Sequence, residues 1–193
     1  MNLNLEHFKE TDALLDGHFI LSSGLHSPKY LQCALALQYP LDATRFGKAI
    51  AEHFIDANIE TVASPAIGGL IIGYEVAKAL NVRFVWTERE NGVMTLRRGF
   101  SVKENERILV VEDVITTGGS TRECIEAIEK YGAKVVGAAS IIDRSGGAAD
   151  VGVPRIALVS LDVPSYKPEH CPMCQRGEVA VKPGSRSEVK NKK

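Results

Sequence analysis

Glu112 and Asp113 are adjacent carboxylates set between an apolar run, Ile108-Leu109-Val110-Val111, and a loop of small residues, Thr116-Thr117-Gly118-Gly119-Ser120-Thr121. The apolar run is mostly β-branched, the character of a buried parallel strand. Beyond the loop, Ile125 and Ile128 begin a helical pattern. Strand, acid pair, hydroxyl-and-glycine loop and helix, in that order, suit a sugar phosphate. Glycines let backbone N–H groups turn toward one anion, and a helix N-terminus adds partial positive charge. The hydroxyls of Thr116, Thr117, Ser120 and Thr121 add further donors. Carboxylates at the mouth would repel a bare phosphate, but they accept hydrogen bonds from vicinal ribose hydroxyls or hold Mg²⁺.

Other phosphate motifs do not fit. A P-loop needs a lysine after its last glycine, and none follows Gly119. Gly68-Gly69-Leu70-Ile71-Ile72-Gly73 lacks the spacing of a dinucleotide fingerprint. A plain strand–turn–helix connection would explain the glycines and hydroxyls, yet turn chemistry does not ask for two carboxylates.

The elements that must position this run alternate along the chain. Helical spacing is expected over 5–16 (Leu5, Phe8, Leu14, Leu15), ending at Gly17, and over 41–56, with Asp42 as its cap. Phe19–Leu21 and Lys29–Leu31 read as a strand–turn–strand pair about Ser22-Ser23-Gly24. Strands are expected at Thr61–Ala63, Arg83–Trp86, Lys134–Ile142 and Arg155–Val159, with an apolar helix reaching Leu80. Such alternation implies an α/β fold, a doubly wound mostly parallel sheet flanked by helices. Residues 88–100 show no burial pattern. The segment from Val181 on carries Lys182, Arg186, Lys190, Lys192 and Lys193 against Glu188 and reads as a frayed basic tail.

In open parallel sheets, ligands sit beyond the carboxyl ends of strands. Three further loops qualify. Ser64-Pro65-Ala66-Ile67-Gly68-Gly69 can bring amides to a second phosphate cluster, or be a tight turn. Glu88 to Gly99 carries Arg89, Arg97 and Arg98, which match phosphate oxygens bidentately. It is either a mobile cationic cover or a solvated hairpin. In Ile142-Asp143-Arg144-Ser145-Gly146-Gly147, Arg144 is placed to reach a carboxylate ligand, or to pair with Asp143 or a loop acid.

Length and composition bound the rest. A chain of 193 residues with 45% hydrophobic and 24% charged content fits one soluble domain, with at most a small appendage. A formal net charge of −1 gives no field to recruit nucleic acid or membrane. The N-terminus lacks the basic flank and apolar core of a signal peptide, and no apolar stretch is of membrane length, so a cytoplasmic protein is expected. Cys33 and Cys124 lie in apolar patterns and read as buried thiols. Cys171-Pro172-Met173-Cys174 is half of a zinc site at most, with only His170 nearby. Ordinary thiols, a metal site completed by another chain, and a redox pair all remain open for it.

The run 108–123 resembles the 5-phosphoribosyl 1-diphosphate (PRPP) signature of the type I phosphoribosyltransferases, and the order of elements from about residue 10 to 160 resembles that family's orotate branch. The resemblance implies an enzyme, a pentosyl-transferring glycosyltransferase acting on orotate and PRPP in pyrimidine (UMP) synthesis. It implies Mg²⁺ carried by PRPP rather than by protein side chains, and a homodimer with shared active sites in which the 88–99 loop reaches the neighbouring subunit. Segments 1–40 (N-terminal helix and hood), 41–165 (core) and 166–193 (C-terminal segment) are the expected divisions. Catalytic roles fall to Glu112, Asp113, Arg89 and Arg97. PRPP binding falls to Glu112, Asp113, Val114, Ile115, Thr116, Thr117, Gly118, Gly119 and Ser120, with Ile67 and Gly68 on the pyrophosphate. Orotate binding falls to Thr116, Arg144 and Tyr30. The sequence departs from the family pattern where Gly68 and Ser22 stand in place of lysines, with Lys29 a substitute for the second, and in its shorter arginine loop. A purine-base transferase of the same family and a PRPP- or nucleotide-binding regulatory protein are the alternatives.

Overall fold

Leu109, Val110 and Val111 are fully buried, as an apolar run without polar alternation requires, and they belong to a central strand of the main sheet. The computed structural model describes residues 5–21 and 23–183. Ser22 lies outside the described residues, as does the basic tail from residue 184 on with Arg186, Lys190, Lys192 and Lys193. The elements, in chain order, are α1 (Leu5–Glu10), β1 (Leu14–Ile20), β2 (His26–Leu31), α2 (Cys33–Leu37) and α3 (Pro40–Glu52). Then come β3 (Thr61–Pro65), α4 (Gly69–Leu80), β4 (Arg83–Glu90), β5 (Val93–Leu96) and β6 (Arg107–Ile115). The chain continues with α5 (Gly119–Glu129), β7 (Lys134–Asp143), β8 (Arg155–Ser160) and the short α6 (Pro172–Gln175). Two compact units result, each discontinuous in sequence: among the described residues, 5–13 with 33–162, and 14–32 with 163–183.

The first unit holds a six-stranded sheet in the order β5-β4-β3-β6-β7-β8. All neighbouring pairs are parallel except β4 with β5. This is the expected α/β sheet flanked by helices. Ile108 and Val110 of β6 share one apolar cluster with Cys124, Ile125 and Ile128 of α5. Helix α3 packs along α4, and its Phe46 ring lies 5.5 Å from that of Phe8. Strands β3 and β6 are neighbours, but β3 leads through α4 to β4 on one side and β6 leads through α5 to β7 on the other. Their carboxyl ends therefore flank a topological switch point, where the sheet leaves a crevice for a ligand. Among the described residues, no helix is long and apolar enough to cross a membrane.

The structure corrects several sequence expectations. The first helix stops at Glu10, because Asp12 adopts φ of 54° and turns the chain; Leu14 and Leu15 lie in β1 instead. The helix expected over 41–56 ends at Glu52, with Ile55 exposed in a separate 3₁₀ turn. Asp42 does not cap it: Tyr39 occupies the cap position, and Asp42 lies in the first turn. Residues 88–100 are not without burial either. Met94 and Leu96 are buried on β5, which pairs with β4 through an Asn91-Gly92 turn with φ of 52° and 84°. Positive φ at both positions is the tight-hairpin geometry whose twist matches the strands.

In the second unit, β1 and β2 pair antiparallel, as the strand–turn–strand pattern anticipates, with a register irregularity between Asp16 and Phe19. Val181 is not part of a frayed tail: its backbone bonds His18 O at 2.8 Å and accepts from Ile20 N at 2.8 Å. Tyr166 and His26 exchange two backbone bonds in an antiparallel bridge, so chain segments from both ends of the sequence share this unit.

Candidate active site

The switch point brings the β6 acids against the glycines that follow β3. A Cβ added to Gly68 would lie 2.7 Å from Asp113 Oδ1, and one added to Gly69 would lie 2.9 Å from Val111 O and 3.3 Å from Glu112 Oε1. A side chain at Gly68 would displace Asp113, and one at Gly69 would displace Ser64 Cβ or the Val111 carbonyl. The backbone of the 66–69 turn is thus held directly on the carboxylates, with Ala66 N bonded to Thr87 O at 2.8 Å. The Ala66–Ile67 peptide is cis and the Ile67 side chain is exposed.

Glu112 is buried and Asp113 half-buried. Burial pushes both carboxyl groups above their ordinary ranges, and the Asp113 charge raises Glu112 further. Asp113 Oδ1 accepts a 2.8 Å bond from Val114 N, which fixes its orientation. No Lys or Arg pairs with either acid among the described residues. Cys33, fully buried on α2, is close enough to the pair that their charges, added to its burial, push its thiol well above the usual range. Cys124, also fully buried, is pushed up to about 12 by burial. Both thiols are thus interior groups, as their apolar sequence patterns anticipate.

Beyond β6, Thr116 and Thr117 are exposed, and Gly118 takes the α5 cap position with φ of 76°. A Cβ there would also meet Val151 Cγ1 at 2.8 Å, so sterics and backbone conformation both call for glycine. No side chain caps α5. Its first amides, the exposed Ser120 and the two threonines therefore form a donor cluster suited to one anion.

The next loop is organised by Asp143 rather than by Arg144. Asp143 accepts bonds from Ser145 N at 2.7 Å, Ser145 Oγ at 2.6 Å and Gly147 N at 3.0 Å, and pairs with Arg155 Nη1 at 3.0 Å. Burial raises its carboxyl, but the Ser145 bonds and the Arg155 guanidinium outweigh this and hold it below the ordinary range. Arg144, half-buried, is tied to the site by its backbone: its N–H bonds Ile115 O at 2.8 Å, at the end of the signature strand.

The arginine segment is a hairpin with carboxylate partners. Arg89 pairs with Glu123 of α5 at 2.6 Å, Arg97 with Glu90 at 3.2 Å, and Arg98 with Glu88. The Arg98 hydrogen bond, helped by Trp86, holds Glu88 below its ordinary range. Tyr30 and Lys29 lie in the second unit: the Tyr30 ring is 5.7 Å from that of Phe19, and Lys29 pairs with Asp16 at 2.9 Å.

Sequence reasoning missed the Asp143–Arg155–Ser145 network, the Glu123 partner of Arg89, and Ser64, a fully buried residue whose Oγ has no hydrogen-bond partner among the described residues. It also left Cys171 and Cys174 with only His170 nearby. The residues gathered beside them are instead His18 and His26 of the same chain.

Residues 40–159 match the family model described as "Phosphoribosyl transferase domain". The orotate phosphoribosyltransferase of Pelotomaculum thermopropionicum is 56% identical over 93% of this chain and 94% of its own length. That of Caldicellulosiruptor bescii is 53% identical over 94% and 96%. Among solved structures, the orotate phosphoribosyltransferase of Aeropyrum pernix superposes with a TM-score of 0.70 at 27% identity, covering 83% of this chain and 94% of that one.

Proposed function

The chain belongs to the orotate phosphoribosyltransferase family, and on that premise we propose that it transfers the ribose 5-phosphate of PRPP to orotate, giving orotidine 5′-phosphate and pyrophosphate for UMP synthesis. The observation that carries this reading is the approach of the Gly68–Gly69 backbone to Glu112 and Asp113 beside the uncapped start of α5. One side of that crevice offers amides to an anion and the other offers two carboxylates to hydroxyls, a pairing of donors and acceptors that suits a phosphorylated ribose with a second phosphate cluster.

In this reading, Glu112 and Asp113 accept hydrogen bonds from the ribose 2′- and 3′-hydroxyls. The α5 amides with Thr116, Thr117 and Ser120 hold the 5′-phosphate, and the backbone at Ile67 and Gly68 faces the pyrophosphate. Arg144 holds the orotate carboxylate, so that the ring nitrogen meets C1. The N–C1 bond forms as the C1–O bond to pyrophosphate breaks, the proton of the ring N–H passing to the released pyrophosphate, through an oxocarbenium-like state that the paired carboxylates stabilise. Arg89 and Arg97 neutralise the departing pyrophosphate. The acids fit a ligand that brings its own cation, since their buried charge has no Lys or Arg partner among the described residues. Mg²⁺ carried by PRPP supplies charge neutralisation on the leaving group. We further propose a cytoplasmic homodimer in which the β4–β5 hairpin serves the neighbouring subunit.

A substrate panel tests the reading. With PRPP and Mg²⁺, orotate should turn over while adenine, guanine and uracil do not; preference for a purine would replace orotate with another base of the same family's chemistry.

A further inference from the structure

We propose that His18, His26, Cys171 and Cys174 bind one zinc ion in a closed, tetrahedral structural site. The four lie in the second unit, far from one another in sequence. His18 sits on β1 and His26 on β2, both buried, while Cys171 is fully buried and Cys174 exposed, both at the α6 turn. Their ligand atoms all fall within 4.8 Å of one another.

The sulfur–nitrogen separations come close to those of a metal tetrahedron. Bond lengths of about 2.3 Å to sulfur and 2.05 Å to nitrogen set edges near ~3.6 Å for S–N and ~3.3 Å for N–N. Here Cys171 Sγ lies 3.5 Å and Cys174 Sγ 3.7 Å from His18 Nε2, and Cys174 Sγ lies 3.2 Å from His26 Nδ1. The two imidazole nitrogens are 2.7 Å apart, so they must separate by roughly 0.6 Å to share one ion. His18 is also oriented for the task. Its Nδ1 lies 2.9 Å from Glu178 O, the bond that fixes Nε2 as the ligand atom in metal-bound histidines. Two thiolates and two imidazoles select zinc over oxygen-seeking cations, and four protein ligands leave no open position for catalysis.

The unit around the cluster needs such a tie. A two-stranded hairpin is marginal by itself. A metal joining β1 and β2 to the α6 turn would add folding energy to this unit.

The experiment uses the full-length, untagged chain. Plasma mass spectrometry of protein purified without added metal should find near-stoichiometric zinc. Cys171→Ser, Cys174→Ser, His18→Ala and His26→Ala should each lose most of it, while His170→Ala keeps it. Because some of these variants can fail to fold, the wild-type protein is also stripped with chelator and titrated with cobalt(II). Tetrahedral d–d bands together with thiolate charge transfer support the site. Folded protein that takes up neither zinc nor cobalt overturns it. So does zinc retained without both histidines, or a mass showing a Cys171–Cys174 disulfide in the freshly purified chain.

Discussion

Gly68 and Asp113, 45 residues apart in sequence, are in backbone-to-carboxylate contact: a Cβ on Gly68 would sit 2.7 Å from Asp113 Oδ1. The contact exists because β3 and β6 are neighbours in the sheet. Gly68→Ala should push Asp113 or the 66–69 turn out of place while leaving the fold intact. A displacement of that size costs about 10²-fold in kcat/KM for PRPP. Steady-state kinetics with unchanged kcat/KM would show that this contact does not shape the site.

The acid pair couples activity to stability in opposite senses. Both carboxyl groups are raised by burial, so the folded protein binds more protons than the unfolded chain between the ordinary and the raised pKa values. Their contribution therefore destabilises the ligand-free protein as pH rises through that window. Replacing both, with Glu112→Gln and Asp113→Asn, should raise the melting temperature at neutral pH by on the order of a few degrees. The same change should cut kcat/KM by about 10²–10³-fold, through lost stabilisation of the cationic transition state. Calorimetry and initial rates on one preparation check both signs.

Two arginines, Arg144 just beyond β7 and Arg155 on β8, should separate cleanly. Arg144→Ala should weaken orotate by about 2–5 kcal/mol and PRPP far less, read from the two KM values. Arg155→Ala leaves Asp143 buried without its cation and should cost about 3–5 kcal/mol of stability in urea unfolding at neutral pH. Asp143 is held below its ordinary range, so its stabilising share is present above the unfolded-state pKa and lost as pH falls through the folded one. The Arg155→Ala deficit should accordingly shrink in strong acid.

What the sequence made legible was chemistry contiguous along the chain. The strand, acids, loop and helix of 108–129 are read in one pass, and so is the glycine turn after β3. What it hid depends on sheet order and on distant pairing. Nothing local says that β6 lies beside β3 rather than beside β5, which precedes it, and so nothing local brings Gly68 to Asp113. Leu14 and Leu15 satisfy a helical period as well as a strand, and the left-handed turn at Asp12 decides between them. His18 and Cys171 are 153 residues apart, beyond any motif spacing.

The hairpin poses a question of subunits. One chain carries Asp113→Asn, the other Arg89→Ala, Arg97→Ala and Arg98→Ala together. Each homodimer should be nearly inactive. In mixed dimers, one of the two sites combines an intact signature with an intact hairpin from the other chain, so co-refolding should restore activity. Confirmed heterodimers without recovery would place the hairpin's action within its own subunit.

The central claim is the transfer of ribose 5-phosphate to orotate, and following orotate directly tests it. Purified protein is mixed with orotate, PRPP and Mg²⁺, and the loss of orotate absorbance is measured alongside released pyrophosphate. The account predicts equimolar loss of orotate and appearance of pyrophosphate, dependent on PRPP and slowed by about 10²–10³-fold in the Glu112→Gln, Asp113→Asn protein. Folded protein that binds PRPP yet consumes no orotate would contradict it.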